Sequence, residues 1–94
     1  MATTIVKHEV QNFDTWKRGY DDFTPYRKEA GVIGASVHRD SENPNMVIVV
    51  HHYGSMAEAQ AFIGSVDLKE KMQELGVVGR PEIWLAEDIE STPF

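Results

Sequence analysis

The residues of this chain best suited to acid–base chemistry are histidines set among apolar residues. His8 is the only polar residue between Val6 and Val10 on its side of an alternating, strand-like stretch. An imidazole titrates near neutral pH, so we predict His8 as the catalytic base or acid of a small-molecule site. The alternative is a buried structural histidine that is hydrogen-bonded to a helix residue such as Asp14 or Asp22.

A second histidine is offered by the neighbouring pair His51 and His52. Adjacent residues of a strand point to opposite faces, so only one of the two can belong to the same site. If the first and third strands are neighbours, the register can bring His52 near His8, and we predict His52 as the second catalytic residue. The two could form an acid–base pair or half of a metal site. A metal is disfavoured, because a catalytic zinc takes three protein ligands and no third one is evident.

In the segment after the first predicted strand, aromatic residues recur at spacings of three and four, which places them on one stripe of a helix. They are Phe13, Trp16, Tyr20 and Phe23. Such a stripe is often plain core, which we favour for Trp16 and Phe62. Tyr20 or Tyr26 is favoured for the site, because a buried hydroxyl needs a polar partner. Arg27 can anchor a carboxylate or phenolate, or pair with a neighbouring acid. The predicted substrate-binding residues are Trp16, Tyr20, Phe23, Tyr26, Arg27, Phe62 and Met72.

The strands that would position these residues are indicated by alternation and by β-rich composition. The second and third strands in chain order flank Asp40–Asn45, a loop of turn-forming residues. This arrangement predicts a hairpin. Val77–Pro81 is predicted to connect the last helix to the last strand. The predicted strands are Thr3–Val10, Val32–Arg39, Met46–Tyr53 and Glu82–Ile89.

Helix starts are indicated by capping side chains and helix ends by glycine. Ser55 and Glu58 form a capping-box pattern, in which each side chain bonds the other residue's amide. Thr24-Pro25 should bend or restart the first helix, because proline tolerates only a first-turn position. The predicted starts are Asn12, Ser55 and Ser65, and the predicted ends are Gly31, Gly64 and Gly76.

The order strand, helix, strand, strand, helix pair, strand predicts one domain over residues 1–94. Two split β-α-β units of this kind form an α+β, ferredoxin-like βαββαβ fold, with a four-stranded antiparallel sheet and its helices on one face. The strands are apolar on both faces, since Met46 and Ile48 alternate with Val47 and Val49. A second copy would cover the face without helices, so we predict a homodimer.

Five short segments resemble the dimeric α+β barrel superfamily, and within it the antibiotic-biosynthesis-monooxygenase-like and cyclase-like small proteins. The segments are Lys7–Val10, Phe13–Lys17, Arg27–Gly31, Asn43–Asn45 and Met72–Pro81. The resemblance implies a pocket between helices and sheet. Haem degradation is disfavoured, because those relatives use a strand asparagine, a tryptophan in the second helix and a histidine ligand. This chain has His8 on the strand and neither Trp nor His between Ser55 and Leu75.

Composition excludes several other classes of protein. Nine Lys and Arg against fifteen Asp and Glu give a net charge of -6, which disfavours nucleic acid and anionic lipid surfaces. There is no cysteine, and no nucleotide fingerprint or phosphate-binding loop, so we predict no cofactor. No apolar run approaches the ~20 residues of a membrane span, and the start does not read as a signal peptide. A cytoplasmic protein is expected.

These observations predict a cofactor-independent enzyme of the monooxygenase, cyclase or isomerase kind, which removes a proton from a small hydrophobic, aromatic or enolisable compound. The alternative is a non-catalytic small-molecule-binding or stress-response dimer with the same pocket. A third possibility is a structural domain whose pocket is filled by Tyr20, Phe23 and Phe62. That possibility predicts that no cavity exists.

Overall fold

A computed structural model describes all 94 residues of the chain. Four antiparallel strands form one sheet in the order β2-β3-β1-β4. Their bounds are β1 (Ala2–Val10), β2 (Val32–Arg39), β3 (Met46–Tyr53) and β4 (Val77–Glu87). The predicted ferredoxin-like α+β class and four-stranded antiparallel sheet are confirmed.

Four helices follow the predicted pattern, as one pair after β1 and one pair after β3. Asn12, Ser55 and Ser65 each accept a hydrogen bond from an amide three residues on, as helix caps do. Gly31 has a φ of 99°, the left-handed conformation predicted there. The helices are α1 (Phe13–Asp22), α2 (Thr24–Glu29), α3 (Met56–Ile63) and α4 (Val66–Glu74).

The helices pack on one face of the sheet. The side chains of β1 and β3 on that face are buried, and the core forms one cluster around Phe62 and Tyr53 and another around Trp16 and Val49. On the opposite face Ile48 is half-buried and Trp84 is 47% exposed. The site described below lies between the two clusters.

β1 begins at Ala2, one residue before the predicted Thr3, and both boundaries of β4 differ from the sequence prediction. β4 begins at Val77, so the predicted connection Val77–Pro81 belongs to the strand, and it ends at Glu87 rather than Ile89. The β1–β4 register shifts opposite His8, where Gly79 has a φ of 73°, so the strand continues through a bulge. Pro81 is tolerated because β4 is an edge strand with an unpaired side.

The capping box of α3 also differs in one bond. The Glu58 amide donates to Ser55 Oγ at 3.2 Å as predicted, but the Glu58 carboxylate accepts from the Ser55 hydroxyl at 3.0 Å rather than from its amide. None of the helices is long and apolar enough to cross a membrane. The cytoplasmic location stays a prediction.

Candidate functional site

A cavity lies between the helix-covered face of the sheet and the helices. Together with its open mouth it holds about 520 Å³ of atom-free space. Ten of its fourteen lining residues are hydrophobic, and the other four are His8, Arg27, His51 and Lys71. The third possibility above predicts no cavity at this place, whereas Tyr20, Phe23 and Phe62 line one. An apolar cavity with a few convergent polar groups is the usual form of a small-molecule site.

His8 projects from β1 into this cavity. It is 5% exposed, and neither ring nitrogen has a hydrogen-bond partner. Its ring meets Trp16 edge-on, with the centroids 5.5 Å apart. Burial lowers the pKa of His8 to about 4, so the imidazole is neutral at pH 7. The structural alternative fails, because Asp14 and Asp22 are exposed and neither bonds His8.

The second histidine of the cavity is His51, not His52. Thr4 pairs with His51 and Thr3 pairs with His52, so His51 shares the face of His8 and His52 points to the other face. His52 bonds Thr3 Oγ1 through Nδ1 at 3.0 Å and is exposed. The predicted approach of His52 to His8 is wrong, because it assumed the opposite register between β1 and β3. Both faces of these strands are apolar, so alternation alone does not select that register.

His51 forms a pair with Tyr20 of α1. Tyr20 Oη lies 2.8 Å from His51 Nε2, and the Tyr20 ring stacks on Trp16 with centroids 4.9 Å apart. Burial lowers the pKa of His51 to about 4, and the charges of Arg27 and His52 act in the same direction. Burial also raises the pKa of Tyr20, although the Arg27 charge opposes this. At pH 7 the pair is therefore a neutral imidazole and a neutral phenol.

Arg27 brings a positive charge to the same region. Its side chain reaches back from α2 so that the guanidinium lies over the Tyr20 ring, with Cζ 3.6 Å from the centroid. It donates to the Tyr20 carbonyl oxygen and, at 2.9 Å, to Thr24 Oγ1. These contacts fix the guanidinium against an aromatic face that stabilises a cation.

Most of the predicted substrate-binding residues line the cavity. Tyr26 does not, because its hydroxyl bonds Ser65 Oγ at 2.6 Å and its ring stacks on Phe23. Sequence reasoning did not assign Leu68, Lys71 or Leu75 to the site, although all three line the cavity. The predicted residues found at the cavity are His8, Trp16, Tyr20, Phe23, Arg27, Phe62 and Met72.

No protein-family model matches the sequence, and a search of curated proteins finds no match. Solved structures do match along nearly the whole chain. SnoaB, a cofactor-independent oxygenase from Streptomyces nogalater, has a TM-score of 0.78 at 9% identity, covering 99% of this chain and 97% of that one. A protein from Bordetella bronchiseptica, named provisionally as an antibiotic biosynthesis monooxygenase, has a TM-score of 0.76 at 19% identity, covering 95% and 97%.

A further structure titled as an antibiotic biosynthesis monooxygenase has a TM-score of 0.74 at 8% identity and covers 96% of this chain and all of that one. The chain thus has the fold of antibiotic-biosynthesis-monooxygenase-like proteins, and the resemblance inferred from its sequence is confirmed at the level of fold. Identities this low carry over no substrate and no residue role.

Proposed function

We propose that the chain is a cofactor-independent enzyme that removes a proton from a small aromatic or enolisable compound bound in the cavity. The observation that carries the proposal is His8, a buried imidazole with both nitrogens unpartnered inside an apolar cavity. Buried polar groups are nearly always hydrogen-bonded, so one that is not is a candidate for direct contact with a ligand. The shared fold with SnoaB supports an oxygenase-like activity.

In the proposed reaction a ring nitrogen of His8 takes the proton, and the electron pair of the broken C–H or O–H bond moves onto the substrate as an enolate or phenolate. Burial keeps the imidazole neutral, which is the form that accepts a proton, and it also makes the imidazole a weaker base until an anion forms beside it. The imidazolium then forms beside an anion that supplies the missing counter-charge. Cyclisation, isomerisation and oxygen insertion all start from such an intermediate.

Tyr20 is proposed to stabilise the developing oxyanion. If His51 donates its Nε2 proton to Tyr20 Oη, the phenolic proton is free to donate to the substrate oxygen. Arg27 over the Tyr20 ring would strengthen that donor, because a nearby positive charge makes the phenol more acidic. His51 would thus act as a positioning residue for Tyr20.

The test is a His8→Ala variant, assayed with a panel of phenols, hydroquinones and 1,3-diketones by mass spectrometry and oxygen uptake. Once a substrate is found, we expect His8→Ala to lose roughly 100-fold or more in kcat, the usual contribution of a general base. His38→Ala is the matched control, because His38 is exposed and bonds only Ser36. Full turnover by His8→Ala would rule out the proposed base.

The alternative, a non-catalytic binding protein, predicts a different result in the same panel. Its ligands would raise the melting temperature of the protein but would be recovered unchanged, with or without oxygen. The cavity and its aromatic lining are compatible with either function. Conversion of any stabilising ligand by wild type, and not by His8→Ala, separates them.

We also propose that the molecule is a homodimer formed through the sheet face that carries no helices. Ile5, Ile48 and Val50 lie half-buried on this face and Trp84 is 47% exposed there, so the outer side of the sheet carries a group of apolar residues. Large exposed apolar surfaces in small proteins usually mark interaction sites. A second copy has the same surface and fits an isologous contact.

A further inference from the structure

Arg27 is a buried charge without a counter-ion. Its side chain is 8% exposed, and its hydrogen-bond partners are a carbonyl and a hydroxyl, both neutral. No carboxylate forms an ion pair with it. A guanidinium has five N–H donors, and these two bonds leave others unused. Buried charges in proteins are normally paired, because an uncompensated one is strongly destabilising.

The nearby acids do not neutralise Arg27. Asp21 acts on it electrostatically, but the Asp21 carboxylate bonds Lys17 Nζ at 2.6 and 2.8 Å and is exposed to solvent. Asp21, the acid that acts on Arg27, is therefore already paired with another cation, Lys17. Arg27 lines this cavity and also a second cleft, which it shares with Thr24 and Lys28, and no acid of either lining neutralises it.

The two fully charged residues that line the cavity are both cations. They are Arg27 and Lys71, and no Asp or Glu lines the cavity. The chain as a whole carries a net charge of -6, so this lining runs against the charge of the molecule. Lys71 reaches Glu74 only at 3.7 Å, with the carboxylate 70% exposed, so that pair screens it weakly.

We propose that the cavity selects a small organic anion, an aromatic carboxylate of one or two rings, whose carboxylate pairs with Arg27. This inference rests on the proposed function insofar as it takes the cavity as the substrate site. The guanidinium fork matches a carboxylate geometrically, and a water-poor site strengthens the pair. The limited free space favours one or two rings over a larger compound.

The apolar part of the ligand lies against the aromatic wall. Trp16 and Tyr20 stack on one side of the cavity, and Phe62 of α3 lines it as well. A flat ring gains contact area against such faces. His8, whose ring nitrogens have no partner, lines the same cavity and is available to the ring or its substituents.

The test compares a carboxylate with its neutral amide, using 2-naphthoate and 2-naphthamide as probes in isothermal titration calorimetry. For the wild-type protein we expect the acid to bind at least roughly tenfold more tightly, as a charge-assisted hydrogen bond implies. In Arg27→Gln this ratio should fall towards one through loss of acid affinity. Lys28→Gln, which removes an exposed cation from the next position of α2, should keep the wild-type ratio.

Arg27→Lys covers the case in which Arg27→Gln fails to fold, because it keeps the charge and loses the fork; its acid preference should be intermediate. Equal or tighter binding of the amide by wild type, or binding of neither probe, would overturn the proposal. Binding is measured without turnover, so the two proposals fail separately. If the protein prefers the acid but converts no compound, this inference stands and the proposed enzymatic function fails. If it converts neutral compounds but does not prefer the acid, the proposed function stands and this inference fails.

Discussion

His8 and His51 are held neutral by burial and not by a partner ion. For both, burial is the leading cause that lowers the pKa from 6.5 to about 4. In the unfolded chain they recover ordinary values, so between pH 6.5 and 4 the unfolded chain binds more protons than the folded one. The free energy of unfolding is then highest above pH 6.5 and falls as the pH is lowered through this window. This is a consequence of keeping two bases inside an apolar cavity.

We expect this loss to be measurable by urea denaturation between pH 7.5 and 4.5. A full shift from 6.5 to about 4 corresponds to roughly 3 kcal/mol for each histidine, most of it lost by pH 4.5. In His8→Leu the free energy of unfolding should depend less on pH, because the contribution of His8 is removed. Val10→Ala is the control, because Val10 is buried in the core but does not line the cavity, so its truncation should shift the whole curve in parallel. An unchanged slope in His8→Leu would contradict the lowered pKa.

At the level of elements, helix boundaries could be predicted because their signals are local. Asn12, Ser55 and Ser65 each cap a helix through an amide three residues away, so a few residues of sequence hold the whole interaction. The bulge of β4 had no such signal. Gly79 and Pro81 indicate a turn when taken alone, and only the pairing with β1 keeps them in a strand.

The types of residue in the candidate site could be predicted from the sequence, but which side chains contact one another could not. His8 was found because it interrupts an apolar face, and the aromatic stripe placed Tyr20 correctly. The choice between His51 and His52 depends on the β1–β3 register, which is set by residues distant in sequence. The burial of Arg27 over Tyr20 also required tertiary structure, since an arginine in a six-residue helix ordinarily meets solvent.

The end of α2 yields a prediction about Gly31. Its φ is 99°, and an added Cβ would collide with the Glu58 carboxylate that belongs to the cap of α3. We expect Gly31→Ala to lower the free energy of unfolding by roughly 1–2 kcal/mol. Gly34→Ala is the matched control, because a Cβ there makes only ordinary contact with His52 at 3.6 Å. Equal effects of the two substitutions in urea denaturation would contradict the conformational argument.

At the scale of the molecule, a chain of 94 residues with a sheet covered on one side has a small interior. Only 13 residues are buried, and the outer face of the sheet holds apolar side chains that no helix covers. Small domains bury a smaller share of their surface than large ones and often gain stability from association. The cavity lies on the other face, so dimerisation through the sheet leaves the site of each copy intact.

The two tryptophans make the proposed dimer directly testable. Trp16 is 2% exposed within the monomer, whereas Trp84 is 47% exposed and lies on the proposed interface. We expect a dimer by sedimentation at micromolar concentration, and a red shift of the emission on dilution that is absent in Trp84→Phe. Trp84→Glu should yield a monomer, because it would bury an unpaired charge in the contact. Val66→Lys changes an even more exposed apolar residue, 68% accessible, on the helix side and should remain dimeric. A wild-type protein that sediments as a monomer would contradict the proposed dimer. A dimer that Trp84→Glu leaves intact would show that the contact lies on another surface.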